Sequence, residues 1–208
     1  MKTIIVTGTP GTGKTAIAKK LAKRLKYYYL DVNKLINKYK LSEGYDRKRK
    51  TRIVDIAKLN KKLIKIILFF KKYNFIGDAL LSRQTFKKTL KKLNITKNKI
   101  KKHNGIVIDS HLSHYLPRKY VDFCIVTKCS IEELNKRLKR KKFNKNKIQE
   151  NIQAEIFNVC LEEAKRKKHR IIEIDTSKIS RKFLGYSESK ILKAAKSFNM
   201  SKISKLIK

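Results

Sequence analysis

The sequence predicts an α/β protein: a parallel five-stranded sheet flanked by helices. Three observations carry this. Short apolar, β-branched runs recur along the chain, and stretches with apolar residues at helical spacing separate them. Parallel strands need such helical crossovers, which then cover both faces of the sheet. The length, 208 residues, suits one domain, or one domain with an inserted lobe.

The elements follow in order. "KTIIVTG" (2–8) reads as a buried strand ending in Gly. "KTAIAKKLAKRLK" (14–26) places Ile17, Leu21 and Leu25 on one helix face. "YYYLDV" (27–32), "NGIVIDS" (104–110), "VDFCIVTK" (121–128) and "HRIIEID" (169–175) are the other four strands. "SIEELNKRLKR" (130–140) and an uninterrupted stretch from 146 to 168 are the helices between them. Two segments stand outside this rhythm. One runs from about Ile56 to His103, the other follows Thr176, and both carry Lys-rich helical patterns. Such helices pack an apolar face on the core and leave lysines in water; docking to RNA or protein is the alternative use of that face.

Charge narrows the partners. Lys+Arg is 55 against Asp+Glu 16, a formal net charge of +39. Self-repulsion on that scale destabilises a compact chain, and a polyanion relieves it. RNA or a ribosomal particle is the expected class. Simple drift toward a Lys-rich composition should raise Glu as well, and acids here stay scarce. Cys124, Cys129 and Cys160 form no CxxC pair, no signal peptide is recognisable, and the longest apolar run, about Ile66–Phe70, is too short to span a bilayer. The expected setting is reducing and cytoplasmic, or nuclear in a eukaryote, with no membrane partner.

"GTPGTGKT" (8–15) matches G-x-x-x-x-G-K-[ST] in full and lies between a strand and a helix. A loop that wraps phosphates with backbone N–H groups needs glycines for close approach, and the following helix turns its positive end to the anion. Lys14 is placed to reach the β- and γ-phosphates, and Thr15 to offer its hydroxyl to Mg²⁺. The fold class is thus a P-loop NTPase using ATP or another NTP with Mg²⁺. A small-molecule kinase, a GTPase switch and an ATPase acting on a larger assembly all remain. The switch is disfavoured. Ser130 replaces the guanine-reading Asp in "TKCS" (127–130), and no Gly closes a D-x-x-G after Asp109.

"VIDSHLSH" (107–114) supplies the remaining chemistry. A carboxylate at a strand end holds Mg²⁺ in P-loop folds, usually through water, which makes Asp109 the metal candidate with Thr15. Asp122 starts its strand and so faces the wrong rim. His111 is a candidate to orient water or bond a phosphate. His114 reads as a loop hydrogen-bonding residue. Zinc on the two histidines lacks further ligands nearby in sequence.

Together "TGTPGTGKT", "GYD" (44–46), "VD" (54–55), "VIDSHLSHYLP" (107–117), "RLKRKKFNKNKIQENIQAEIFNVCLEEA" (137–164) and "IEIDTS" (172–177) resemble, in order, the adenylate kinase isoenzyme 6 family. The resemblance covers about residues 1–60 and 104–178. It implies an NMP-kinase-like fold with an NMP-binding segment at about 31–54 and a lid at about 140–150. A basic helical insertion at about 60–103 and a basic helical tail at about 179–208 would complete the single domain. It implies transfer between ATP and AMP with broad NMP acceptance, and ATPase activity. It also implies late maturation of the small ribosomal subunit, through a platform ribosomal protein and contact with rRNA. By position, the ATP site is Gly11, Gly13, Lys14, Thr15 and Ala16. A lid brings cations over the transferring phosphoryl, and Arg137, Arg140 and Lys141 are the candidates.

The chain departs from the family in four places. Lys141 and Lys142 stand where the family has Arg-Gly. Asn37, with Lys38 beside it, replaces an Arg. "RKRKTR" (47–52) replaces an acidic stretch. The link from Asp55 to Asp109 is longer. These favour an alternative: an RNA- or ribosome-associated ATPase assembly factor with vestigial NMP kinase activity. A non-catalytic RNA-binding scaffold is opposed by intact Lys14, Thr15, Asp109 and His111.

Overall fold

The computed structural model describes residues 1–47, 51–76, 88, 91 and 103–177. The helices expected near the end of the 60–103 insertion and in the 179–208 tail lie outside the described residues, apart from Lys88 and Lys91.

Five parallel strands form the main sheet: β1 (Lys2–Thr7), β2 (Tyr28–Asp31), β5 (Gly105–Asp109), β6 (Phe123–Lys128) and β7 (Ile171–Asp175), in the order β2-β5-β1-β6-β7. β5 is buried throughout and β1 at every position after Lys2, which is why both read as continuous apolar runs. Side chains alternate across the sheet. Ile4, Val6 and Val107 pack against Ile17, Ala18, Leu21 and Ala22 of α1 (Lys14–Leu25). Ile5, Ile106 and Ile108 face the opposite layer, made by α2 (Val32–Tyr39), α3 (Ile56–Ile76) and α6 (Val159–Arg166). α4 (Ile131–Arg140) and α5 (Lys145–Ile156) join through a smaller core around Leu134, Leu138, Phe143, Ile148 and Ile152.

Three local features differ from the sequence expectation. The second strand ends at Asp31, not residue 32, because Val32 begins α2 at once. The Asp31 carboxylate caps that helix, accepting from Asn33 N–H at 3.0 Å and Lys34 N–H at 3.3 Å. The helix expected over 146–168 breaks at Asn158, which takes φ 51° and separates α5 from α6. Asn tolerates the left-handed region better than most residues. The break lets α5 pack on α4 while α6 turns onto the sheet. Finally, β3 (Ser42–Asp46) and β4 (Thr51–Val54) form an antiparallel pair that no apolar alternation announced. Tyr45 and Ile53 stand exposed on it.

α3 is a core helix from Leu59 to Phe70. Leu59, Leu63, Ile66, Ile67 and Phe70 are all buried, at a spacing that makes one stripe. Asp122 accepts from Thr3 N–H at 2.8 Å and the Lys2 ammonium at 3.3 Å, at the N-terminal rim of the sheet. Among the described residues no helix is long and apolar enough to cross a membrane.

Candidate active site

The C-terminal rim of the sheet gathers the chemistry. β1 runs into the 8–13 loop, β2 ends at Asp31, β5 at Asp109 and β6 at Lys128. In open α/β sheets ligands bind at this rim.

The loop geometry follows from its glycines. Gly8 has φ 139°, and a Cβ there would sit 2.4 Å from the Thr127 carbonyl oxygen. Gly11 has φ 101°, and its Cβ would meet Leu134 at 2.7 Å. Any other residue at either position strains the backbone and collides with β6 or α4. Hydroxyls then fix the loop from outside. Thr12 Oγ1 donates to the Thr9 carbonyl at 2.8 Å and lies 2.7 Å from Thr127 Oγ1. Thr176 Oγ1 lies 2.8 Å from the Thr12 carbonyl, in reach to donate to it. The sequence reading missed Thr12, Thr127 and Thr176, because each bonds a partner that no local pattern identifies.

Lys14 folds across the loop and donates to the Thr9 carbonyl at 2.9 Å. Burial pushes its ammonium down to about 8; Lys141 adds to this, while Asp109 and Glu155 oppose it. Gly13, at φ 81°, precedes α1; Thr15 and Ala16 are exposed, and the Ala16 N–H donates to the Gly13 carbonyl at 3.0 Å.

Asp109 is buried, and its Oδ2 accepts from the Tyr29 hydroxyl at 2.8 Å. Thr15, in the first turn of α1, and Asp109, at the end of β5, belong to elements that pack together. Burial first, then the bond to Asp109, raises the Tyr29 phenol well above its ordinary value, so it stays a neutral donor. This donor set, a hydroxyl and a carboxylate, is hard-oxygen chemistry that fits Mg²⁺.

The two histidines diverge. His111 is exposed at the rim. Desolvation by the protein around it, then Lys14, His114 and Lys147, push its imidazole down to about 4, so it is neutral at physiological pH. His114 is buried: Nδ1 lies 2.7 Å from Thr7 Oγ1, and Nε2 2.8 Å from Glu163 Oε2. Burial lowers its pKa against the pull of Glu163. The Tyr115 hydroxyl holds the other Glu163 oxygen at 2.7 Å. His114 thus fastens the last residue of β1 to α6.

At the proposed lid, Arg137 is engaged elsewhere. It donates to Glu133 at 2.8 Å, and to the Thr176 carbonyl at 2.6 Å, tying α4 to the end of β7. Arg140 and Lys141 are exposed on that turn, as are Lys139 and Lys142, with Arg140 3.5 Å from Glu133. The "ENIQAEIF" signature buries Asn151 and Glu155, and Glu155 Oε1 accepts the Cys129 N–H at 2.9 Å. Its role is to seat α5 beside the phosphate loop. Tyr29 and Glu155 had no local signal, since each acts on a partner distant in sequence.

The chain is similar to known proteins over most of its length. A family model described as an AAA domain matches residues 4–158. A Methanocaldococcus jannaschii protein named "Putative adenylate kinase" is 33% identical over 174 residues, 84% of this chain and 76% of that protein. The Caenorhabditis elegans "Adenylate kinase isoenzyme 6 homolog" is 28% identical over 78% of this chain and 71% of its own. In fold, the chain matches the shikimate kinase of Acinetobacter baumannii at a TM-score of 0.51 and 14% identity, covering 97% of this chain and 96% of that one. With its loop, strand-end Asp109 and seated α5, the chain belongs to the adenylate kinase isoenzyme 6 family.

Proposed function

We propose that the protein is an adenylate-kinase-type nucleoside monophosphate kinase with ATPase activity, converting ATP and AMP to two ADP and accepting other NMPs. One observation carries this: Lys14, Thr15 and Asp109 converge on a glycine-built loop at the C-terminal rim. The names of the relatives support the same reaction class.

Each residue has a task. The loop backbone from Gly8 to Thr15 receives the phosphates, with Gly11, Gly13 and Ala16 shaping the approach. Lys14 exchanges the Thr9 carbonyl for a phosphate oxygen, which restores its full charge. Thr15 and Asp109 would hold Mg²⁺, which supplies neutralisation of the phosphate charge when bound. His111, neutral and at the rim, orients the acceptor oxygen or an attacking water by hydrogen bonding. Arg140 and Lys141 close over the transferring group as cations. The 31–54 segment, with its exposed Tyr45 and Ile53, receives the NMP.

The net charge of +39 supports a ribonucleoprotein partner, and we assign the activity to late maturation of the small ribosomal subunit in the cytoplasm, or the nucleus of a eukaryote. A platform ribosomal protein and rRNA are the partners in this reading. A second reading, an assembly ATPase with vestigial kinase activity, is favoured by Lys141 and Lys142, because a lysine lacks the bidentate grip of an arginine. Turnover of ATP with and without AMP, then with the ribosomal protein, separates them. Stimulation by AMP supports the first; stimulation by the ribosomal protein alone supports the second. Lys14→Ala abolishes both activities, and an active variant would remove the site assignment.

A further inference from the structure

We infer that Tyr29 is the positioning residue of the metal site: its hydroxyl sets the geometry of Asp109 and so governs how tightly Mg²⁺ is held with a nucleotide. The inference rests on the Mg²⁺·nucleotide reading above.

Tyr29 is fixed at both ends of its side chain. It stands on β2 in register with Val107, two residues before Asp31, which pairs with Asp109. Its ring packs against the α1-side core, and the Lys19 ammonium lies 5.9 Å from the ring centroid. The ring cannot swing without opening that core, so the hydroxyl is held where it is. There it meets Asp109 Oδ2 at 2.8 Å.

The direction of the bond is set: the Tyr29 hydroxyl donates and Asp109 Oδ2 accepts. This occupies Oδ2 and leaves Oδ1 of Asp109 uncommitted by this bond. A phenol that holds one carboxylate oxygen orients the other, as partners outside a metal's direct ligands do elsewhere.

The test is Tyr29→Phe, which keeps the ring and its packing and removes only the oxygen. ADP binding is measured by calorimetry across a Mg²⁺ titration and again in EDTA, for the wild type, Tyr29→Phe and Thr15→Ala. The expected result is a rise of about tenfold in half-saturating Mg²⁺ for Tyr29→Phe, with ADP affinity in EDTA within about twofold of wild type. An unchanged Mg²⁺ midpoint overturns the inference. So does an equal loss of ADP affinity with and without Mg²⁺, which would mark Tyr29 as packing alone. Thr15→Ala separates the two readings. If it loses the Mg²⁺ dependence while Tyr29→Phe keeps it, only the Tyr29 inference falls. If the wild type shows no Mg²⁺ dependence, or Thr15→Ala retains it, the metal site itself is misassigned.

Discussion

Lys14 is the residue on which binding and pH meet. In the free protein its ammonium is held at about 8 by burial. Bound phosphates raise it back toward its ordinary value, because an adjacent anion favours the charged form. Between those values the free protein has lost the proton and the complex holds it. Nucleotide binding near pH 9 is therefore accompanied by uptake of a proton and weakens as pH rises. Calorimetry in buffers of different ionisation enthalpy measures this directly, and the uptake should vanish near pH 6. The His111 imidazole is pushed down to about 4 in the free protein, and bound phosphates raise it by the same argument. His111→Ala should lower ATP hydrolysis more than ATP affinity; equal losses would remove a role in orienting the acceptor. At this scale the phosphate loop was legible because its chemistry is local. Tyr29, Thr127 and Thr176 were not, because they reach Asp109, Thr12 and the loop across 80, 115 and 164 positions. Nothing in "YYYLDV" distinguishes the tyrosine that bonds Asp109 from its two neighbours.

At the scale of the element, four helices end the same way. Lys26, Lys40, Lys142 and Lys168 take φ between 49° and 55°. Each is followed by a residue whose N–H returns five positions, from Tyr27 to Ala22, Leu41 to Ile36, Phe143 to Leu138 and His169 to Ala164. This is the Schellman pattern, in which the left-handed position is usually glycine. The resemblance placed a Gly where Lys142 stands, and the backbone gives the reason. Lys168→Gly and Lys142→Gly should each raise stability by about 0.5–1 kcal/mol: relief of about 1–2 kcal/mol of left-handed strain, less the extra freedom glycine has when unfolded. The urea midpoint checks this, and no gain at either position would contradict it. The strands and most helices were legible because burial on both faces leaves continuous apolar runs and helical stripes. The break at Asn158 was not, because "IFNVCLEEA" keeps its helical spacing through it. What turns the chain there is the packing of α5 on α4, which no short window records. The β3–β4 pair was hidden for the opposite reason: with Tyr45 and Ile53 exposed, it buries too little to leave a pattern.

For the whole molecule, charge dominates. A net +39 on 208 residues repels itself, and salt screens that repulsion over a Debye length of about 10 Å at 0.1 M. The melting temperature should therefore rise as salt increases from low ionic strength. RNA affinity should fall steeply over the same range, by about a thousandfold or more between 50 and 200 mM if six or more phosphates are contacted. A flat response would return the charge to composition alone. The central claim, though, concerns where the phosphoryl group goes. The most direct measurement follows the label from γ-labelled ATP incubated with AMP and Mg²⁺. The account predicts label in newly formed ADP, absent without AMP and absent with Lys14→Ala. Label found only in inorganic phosphate, at a rate indifferent to AMP, would contradict it.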